Sequence, residues 1–482
     1  MSLGIHTNVS SMSATRALHS ASKELETSME RLSTGKQINR AGDDAAGLAI
    51  AQRMEAQIRG LDTAVKNAND GMAMTKSIEG ALQEVSSMLQ RMRELAVQSA
   101  NGTNTGQDRV ALNDEMAALK AEIQRIADTT TYNGNKVLDG TFNSSLQVGT
   151  KAQETVAVAV ESIATSSLGA YVAAGEAQQD PIAAATAAGN NEVTTSEVIT
   201  IVGNGVSKSF TPAAQDSAKT VAAAINVETG NTGVTATAKT LAKIVVTGSG
   251  SHNFTINGTA TGAATMGATN VTAMVDAIND ISGTTGVVAT ASGNTAIILT
   301  DADGDDITFE NGTALTTISV HSMDQDGTTS GGSVTLQAAN SNDATRVMGS
   351  IQLSSSSNFT VDNEGTVALG YVSETVAISG IDSATLTTAT AATNALAIID
   401  GAIEKVASMR SGLGAIDNRL LHSVSNLMAV SDNTSAAKSL LEDADYSAES
   451  ANLAKAQVLM QAGTAMLAQA NASPQLVLQL IQ

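Results

Sequence analysis

Cysteine is absent from this 482-residue chain, which removes disulfides, zinc–thiolate sites and thiol catalysis together. A secreted chain without cysteine has to be stabilised by packing or polymerisation. Aromatic residues make up 2% of the sequence and tryptophan is missing, which argues against aromatic-lined ligand pockets and base-stacking platforms. Positive charge is scarce, with 26 Lys and Arg against 47 Asp and Glu for a net charge of −21. Phosphate contact needs clustered Lys and Arg, so the chain does not read as a nucleic-acid binder. No run of about 18 apolar residues exists, so membrane insertion is not expected. Met1 to His6 carries neither a basic nor an apolar leader segment, so no cleaved secretory signal is expected. Taken alone, that points to the cytoplasm.

The charge that is present is unevenly spread. Residues 151–390 hold six basic and 22 acidic side chains, while 1–150 is close to neutral. Length allows two to four domains. Both ends are rich in Ala, Gln, Met and Leu, with apolar residues recurring every three or four positions. Leu18, Leu25 and Leu32 lie at heptad spacing in a helix expected from Asn8 to Ser33 and stopped at Gly35. Asp43 and Asp44 offer N-cap oxygens to a second helix, expected to reach Ser99. Its stripe is Met54, Ile58, Leu61, Val65, Ala68, Met72 and Thr75, then Ile78, Leu82, Val85, Leu89 and Met92. Two steps of three fall together at 72–75–78, a phase break in a seam roughly 85 Å long at 1.5 Å per residue. A third helix is expected over 108–128. Near the C-terminus the spacing resumes from Leu396 to Leu427. A last helix carries Ala456, Leu459, Gly463, Met466 and Ala470, and Pro474 is expected to break it. Such stripes cannot be buried within one helix and ask for a partner helix or further copies of the chain.

Between the helical ends the period changes. Asn133-Gly134 signals a hairpin, and Val156, Val158 and Val160 alternate as a strand. Within 176–378, Ala224-Ile225-Asn226 followed by Gly230 to Ala238 recurs 53 residues later as Ala277-Ile278-Asn279 followed by Gly283 to Ala291. Each copy predicts a short helix, a glycine turn and a strand, giving two related α+β modules. A hairpin is expected between Ala296–Thr300 and Ile307–Phe309.

No residue constellation asks for catalysis, a cofactor or a metal. His6, His19, His252, His321 and His422 are too scattered for a local metal pair. Asp301 to Asp306 resembles part of a calcium loop but lacks its glycine and glutamate spacing, so an acidic turn is the reading. Gly248-Ser249-Gly250 lacks the ending of a phosphate loop.

Long ordered strings at both ends resemble bacterial flagellin, the subunit of the flagellar filament. At the front they are Ser33 to Asn39, Asp43 to Ala51 and Arg93 to Gly102; at the back, Glu442 to Tyr446, Lys455 to Leu459, Gln461 to Thr464 and Leu467 to Asn471. The resemblance covers roughly 1–175 and 378–482. It implies a multi-domain α+β fold with long coiled-coil helices from both termini, a helical bundle with a β-hairpin, and an inserted β-rich α+β outer domain. The implied layout pairs 1–42 with 444–482 as inner coiled-coil helices. It makes 43–175 and 378–443 the bundle, and 176–377 the variable surface-exposed insert. The implied function is a non-enzymatic subunit that self-assembles into the filament for swimming, exported unfolded through the flagellar type III apparatus and polymerised at the tip. That places an extracellular protein without a cleaved signal. Implied partners are further copies of the chain, an export chaperone, the filament cap and hook-associated proteins, and a vertebrate Toll-like receptor. For that receptor the resemblance assigns Arg91, Leu95 and Glu122; for the assembly seam it joins Leu18, Leu25, Leu32, Ile58, Leu61, Val65, Leu459 and Met466. The alternatives are a minor hook–filament junction protein, or a filament whose insert is a binding or adhesin module.

Overall fold

A computed structural model describes residues 8–175, 193, 198–246, 249–266, 270–312, 317–325, 327, 329–337, 343–364 and 374–481. Its helices are α1 (Val9–Thr34), α2 (Ala45–Ala100), α3 (Gly106–Thr129), α4 (Ala218–Val227), the single turn α5 (Thr229–Thr232), α6 (Thr272–Asp280), the single turn α7 (Ser282–Thr285), α8 (Ala389–Glu442) and α9 (Tyr446–Ile481). The chain divides into two compact units. One comprises Met1–Thr75, Ser144–Val158 and Ala415–Gln482; the other comprises Lys76–Asn143 and Ala159–Gly414. The first division falls inside α2 immediately after Thr75, within the phase break of the hydrophobic stripe.

Local chemistry sets the helix ends. Asn8 caps α1, its side chain accepting the Ser11 N–H at 3.0 Å, and Gly35 closes it in the left-handed conformation at φ 73°. Of the two aspartates before α2, only Asp44 caps, accepting from the N–H groups of Ala46 and Gly47 at 3.0 and 2.9 Å. Asp43 instead accepts from the Asn39 and Arg40 N–H groups and shapes the turn before it. Thr105 and Asp108 form a reciprocal capping box on α3.

In the first unit α1 lies along α9. Ala21 and Ser28 are buried on α1, flanked by half-buried Ser11, Ala14, Leu18, Leu25 and Leu32; on α9 the covered positions are Glu449, Leu453, Ala456, Met460, Gly463, Leu467 and Ala470. Both rows step by alternate threes and fours, which is coiled-coil spacing. Contrary to expectation, α9 does not stop at Pro474. Proline cannot donate to the carbonyl four residues back, and that carbonyl, on Ala470, accepts from the Asn8 carboxamide at 2.8 Å instead. Elsewhere in this unit Ala68, Val156 and Leu420 form a small core with Met72, Ile416 and Val424 packed on it. Thr75, the polar member of the stripe, donates to the Met72 carbonyl at 3.0 Å and lies 3.3 Å from Asp417 Oδ1.

In the second unit the stripe from Ile78 through Leu82, Val85, Leu89 and Met92 is fully buried. The two sequence copies form two modules of the same plan. In one, the hairpin Val198–Gly203/Val206–Phe210 turns at Asn204-Gly205. The chain then runs through α4 and α5 into the strand Thr235–Val246. In the other, Phe254–Ile256/Thr259–Ala260 turns at Asn257-Gly258, and α6 and α7 lead into Val287–Ser292. Each helical turn ends on a glycine with positive φ, Gly233 at 70° and Gly286 at 74°, a conformation that disfavours a Cβ.

The modules are nested, not in tandem. Val287–Ser292 returns directly on Ala296–Asp301, after which Ile307–Asn311 closes on Phe254–Ile256. The first half of Thr235–Val246 pairs with Ser350–Ser355 while its second half pairs with the inner strands Ala296–Asp301 and Thr317–Met323, and after Ser350–Ser355 the strand Phe359–Glu364 closes on Val198–Gly203. The inner module is therefore inserted at the outer module's equivalent hairpin. Each has its own core: Phe254, Phe309, Met274 and Ile278 in the inner, Ile199, Ile225, Ile351 and Phe359 in the outer. The expected hairpin of Ala296–Thr300 with Ile307–Phe309 does not form, because those strands enter different sheets. Between them the acidic turn folds on itself: buried Asp301 accepts from the Asp303 and Gly304 N–H groups.

Candidate assembly and receptor surfaces

The α1/α9 seam is small-residue packing tied by ion pairs. A Cβ on Gly463 would come 3.3 Å from Leu18 Cδ1, so the helices approach closely there. Arg31 Nη1 meets Glu449 Oε1 at 3.0 Å, and the Glu449 side chain is nearly buried. Asn452 and then Arg31 donate to that carboxylate and hold it below the usual carboxylate range. Beyond the seam, Lys36 Nζ meets Glu442 Oε1 at 2.5 Å. The segment after α1 bonds to the α8–α9 junction through Gln37 N–H to Glu442 O and Ala444 N–H to Gly35 O, at 2.7 and 2.9 Å. Lys438 pairs with Glu55, linking α8 to α2.

Of the seam residues expected from sequence, Leu18, Leu25 and Leu32 lie half-buried on the α1 seam, Leu61 is buried, and Ile58 and Val65 are half-buried. Leu459 and Met466 are not on the α9 seam: they are 44% and 64% exposed, and Met460 and Leu467 take the covered positions. Stepping from Ala456 by three instead of four picks the neighbouring face, and both faces are apolar enough to satisfy the pattern. Glu449, polar and therefore invisible to a hydrophobic count, marks the true phase.

The three expected receptor residues do not come together as one exposed set. Arg91 is exposed on α2, its Nε 2.8 Å from Glu115 and its Nη1 3.0 Å from Glu94. Glu122, two turns beyond Glu115 on α3, pairs with Arg125 at 2.5 Å. Leu95 is fully buried, extending the core stripe one step past Met92. Glu115, which sequence reasoning missed, is the carboxylate the fold delivers to Arg91. Its signal was available only as a cross-helix pairing, which no local spacing encodes.

Among the described residues no group of His, Asp and Glu is placed to hold a metal, and no helix is long and apolar enough to cross a membrane. His252 is buried, and burial lowers its pKa. Lys219 bridges Asp303 and Asp305 at 3.0 and 2.9 Å, so the acidic turn serves as an ion-pair anchor.

Large apolar side chains left in solvent concentrate in the first unit. Twelve of the eighteen exposed large hydrophobics among the described residues lie there, including Met12, Leu421, Met428, Leu440, Val458 and Met466. Long terminal helices paired along one face, with a second apolar face uncovered, define a subunit built to be buried by its neighbours in a polymer. Residues 5–143 match the bacterial flagellin N-terminal helical region, and 396–481 match the bacterial flagellin C-terminal helical region. B-type flagellin of Pseudomonas aeruginosa is 38% identical over 491 residues, with 100% of each chain covered. Flagellin A of Vibrio cholerae serotype O1 is 33% identical over 488 residues, again with 100% of each covered. A solved structure of FliC from Burkholderia pseudomallei covers 72% of this chain and 99% of its own at 18% identity and a TM-score of 0.29, a loose likeness. The chain belongs to the bacterial flagellin family. It is a structural subunit of the extracellular flagellar filament.

Proposed function

We propose that the chain is exported unfolded through the flagellar type III apparatus. It then polymerises at the filament tip under the cap, handed over by a chaperone that covers the C-terminal helices. The observation that carries this reading is the uncovered apolar face of the first unit, which would otherwise expose α8 and α9 to aggregation before assembly. The proposed layout has 1–42 and 444–482 innermost, 43–175 and 378–443 in the wall, and 176–377 outward, with the net acidic insert keeping neighbouring surfaces apart. Dissociated full-length protein should regrow filaments from short seeds, seen by sedimentation and electron microscopy, and a copy lacking both terminal helices should not. Seeded intact chain that stays monomeric would overturn the reading.

Toll-like receptor recognition is proposed through the exposed charges of α2 and α3, Arg91 and Glu122. Leu95 acts from within the core, holding the helix that presents Arg91. Reversing the charge in Arg91→Glu should weaken receptor signalling by monomer about tenfold or more, a size typical of losing a charged contact. Unchanged signalling would remove Arg91 from the surface.

A further inference from the structure

The outer module's sheet has one face that packs and one that does not. Successive side chains of a strand point to opposite faces. On Thr235–Val246 and its partner Ser350–Ser355, the residues Ala236, Ala238, Ile351 and Leu353 join the hydrophobic core with α4. The alternate positions, Thr235, Thr237 and Lys239 with Gln352 and Ser354, line a cleft of about 760 Å³. Across it stands α8, lining the cleft with Asn394, Ala397, Asp400 and Glu404 at helical spacing. A helix facing a sheet normally buries apolar surface on both; here hydroxyl, amide and charged side chains stand among small apolar ones on the facing surfaces.

The walls are held. Gln325 donates to the carbonyls of Thr237 and Ser350 at 3.1 and 2.9 Å. A Cβ on Gly401 would come 2.6 Å from Ala170 Cβ, so α8 sits hard against the strand Gly169–Ala174. Asp400 is engaged by Arg93 at 2.6 Å. Lys239 is half-buried, and among the described residues no ion pair or hydrogen bond reaches its ammonium group; burial alone lowers its pKa. Half-burying an unpaired cation is unfavourable, and a ligand anion would relieve it. The hydroxyls and amides around it are donors and acceptors for ligand hydroxyls. Among the described residues no aromatic ring lines the cleft to favour a flat ligand, and Glu404 at its exposed rim disfavours a second negative charge.

We propose that this cleft binds a polyhydroxylated ligand with a single carboxylate, a hexuronate-type sugar residue, its carboxylate on Lys239 and its hydroxyls on Thr237, Gln352 and Ser354. The site would give the outer region of the filament subunit affinity for acidic polysaccharide, and it is testable on unassembled chain. The test is titration of soluble full-length monomer with sodium D-glucuronate and with D-glucose, followed by saturation-transfer NMR. Saturable glucuronate binding is expected, about tenfold tighter than glucose, as a charge-assisted contact predicts. Lys239→Met should abolish that preference, while Lys219→Met, altering a lysine outside the cleft, should keep it. Thr237→Val, which preserves shape, should weaken glucuronate binding and serves as the deciding variant should Lys239→Met not fold. Absence of saturable glucuronate binding, equal binding of glucose, or full affinity in Thr237→Val or in a folded Lys239→Met protein would each overturn the proposal.

Discussion

The carboxamide of Asn8 serves two helices. Its oxygen caps α1 and its amide nitrogen satisfies the Ala470 carbonyl that Pro474 leaves without a helical donor. Asn8→Ala should therefore cost about 1–2 kcal/mol, the range of a lost N-cap plus an orphaned carbonyl, read as a lower urea midpoint for the monomer. The two modules carry a matched pair of such residues. Asn226 and Asn279 each clamp the strand ten residues on, bonding both N–H and C=O of Ala236 and Ala289 at 2.7 to 3.0 Å. Asn279→Ala should destabilise the inner module by about 2 kcal/mol, since two partly buried backbone groups lose their partners. Both asparagines stand out in the sequence repeat; their job does not, because it depends on a strand folding back over the helix end. Glu449 supplies a pH dependence. Arg31 from α1 and Asn452 hold its pKa down, with Lys23, Glu24 and Lys455 lining the same groove. A depressed carboxylate stabilises the fold above its unfolded pKa, and that contribution is lost as pH falls through the folded value. Glu449→Gln should flatten the part of the acid-stability curve below the ordinary glutamate range, measured by circular dichroism at α1/α9 melting.

At the scale of elements, α9 has a face for α1 and a face for neighbours. Leu467→Ala, on the seam, should lower monomer stability by roughly 1–2 kcal/mol, less than a fully buried leucine because the site is half-covered. Met466→Ala, one residue earlier and 64% exposed, should leave monomer stability within about 0.5 kcal/mol yet slow seeded polymerisation. Equal effects of the two on the monomer would mean the seam phase is wrong. The existence and type of α1, α2, α3, α8 and α9 were legible from periodicity and caps, and so were the ends of the first three; α8 and α9 extend beyond the apolar spacing that marked them, α9 through Pro474. The phase of α9 was not, because an assembling helix carries apolar residues on two faces and a hydrophobic count cannot say which face meets its own chain.

For the whole molecule, nesting makes the inner module a separable insert. Residues 240–349 can be replaced by a short Asn-Gly turn joining Lys239 to Ser350, which are already paired strand partners. The shortened chain should keep one cooperative outer core and still polymerise, checked by calorimetry and electron microscopy. Loss of the Ile225–Phe359 core would show that the modules fold only together.

The sequence by itself determined the helical ends, the turn residues, the repeat and the family, because each is written in local spacing or in long unbroken strings. Tertiary structure alone decided the nesting of the modules, the burial of Leu95, the partnership of Arg91 with Glu115 and the charged cleft around Lys239. Each of these joins residues distant in sequence, or separate in helix or strand, through packing that no local period records. The free energy of such contacts depends on which surfaces meet and are removed from water.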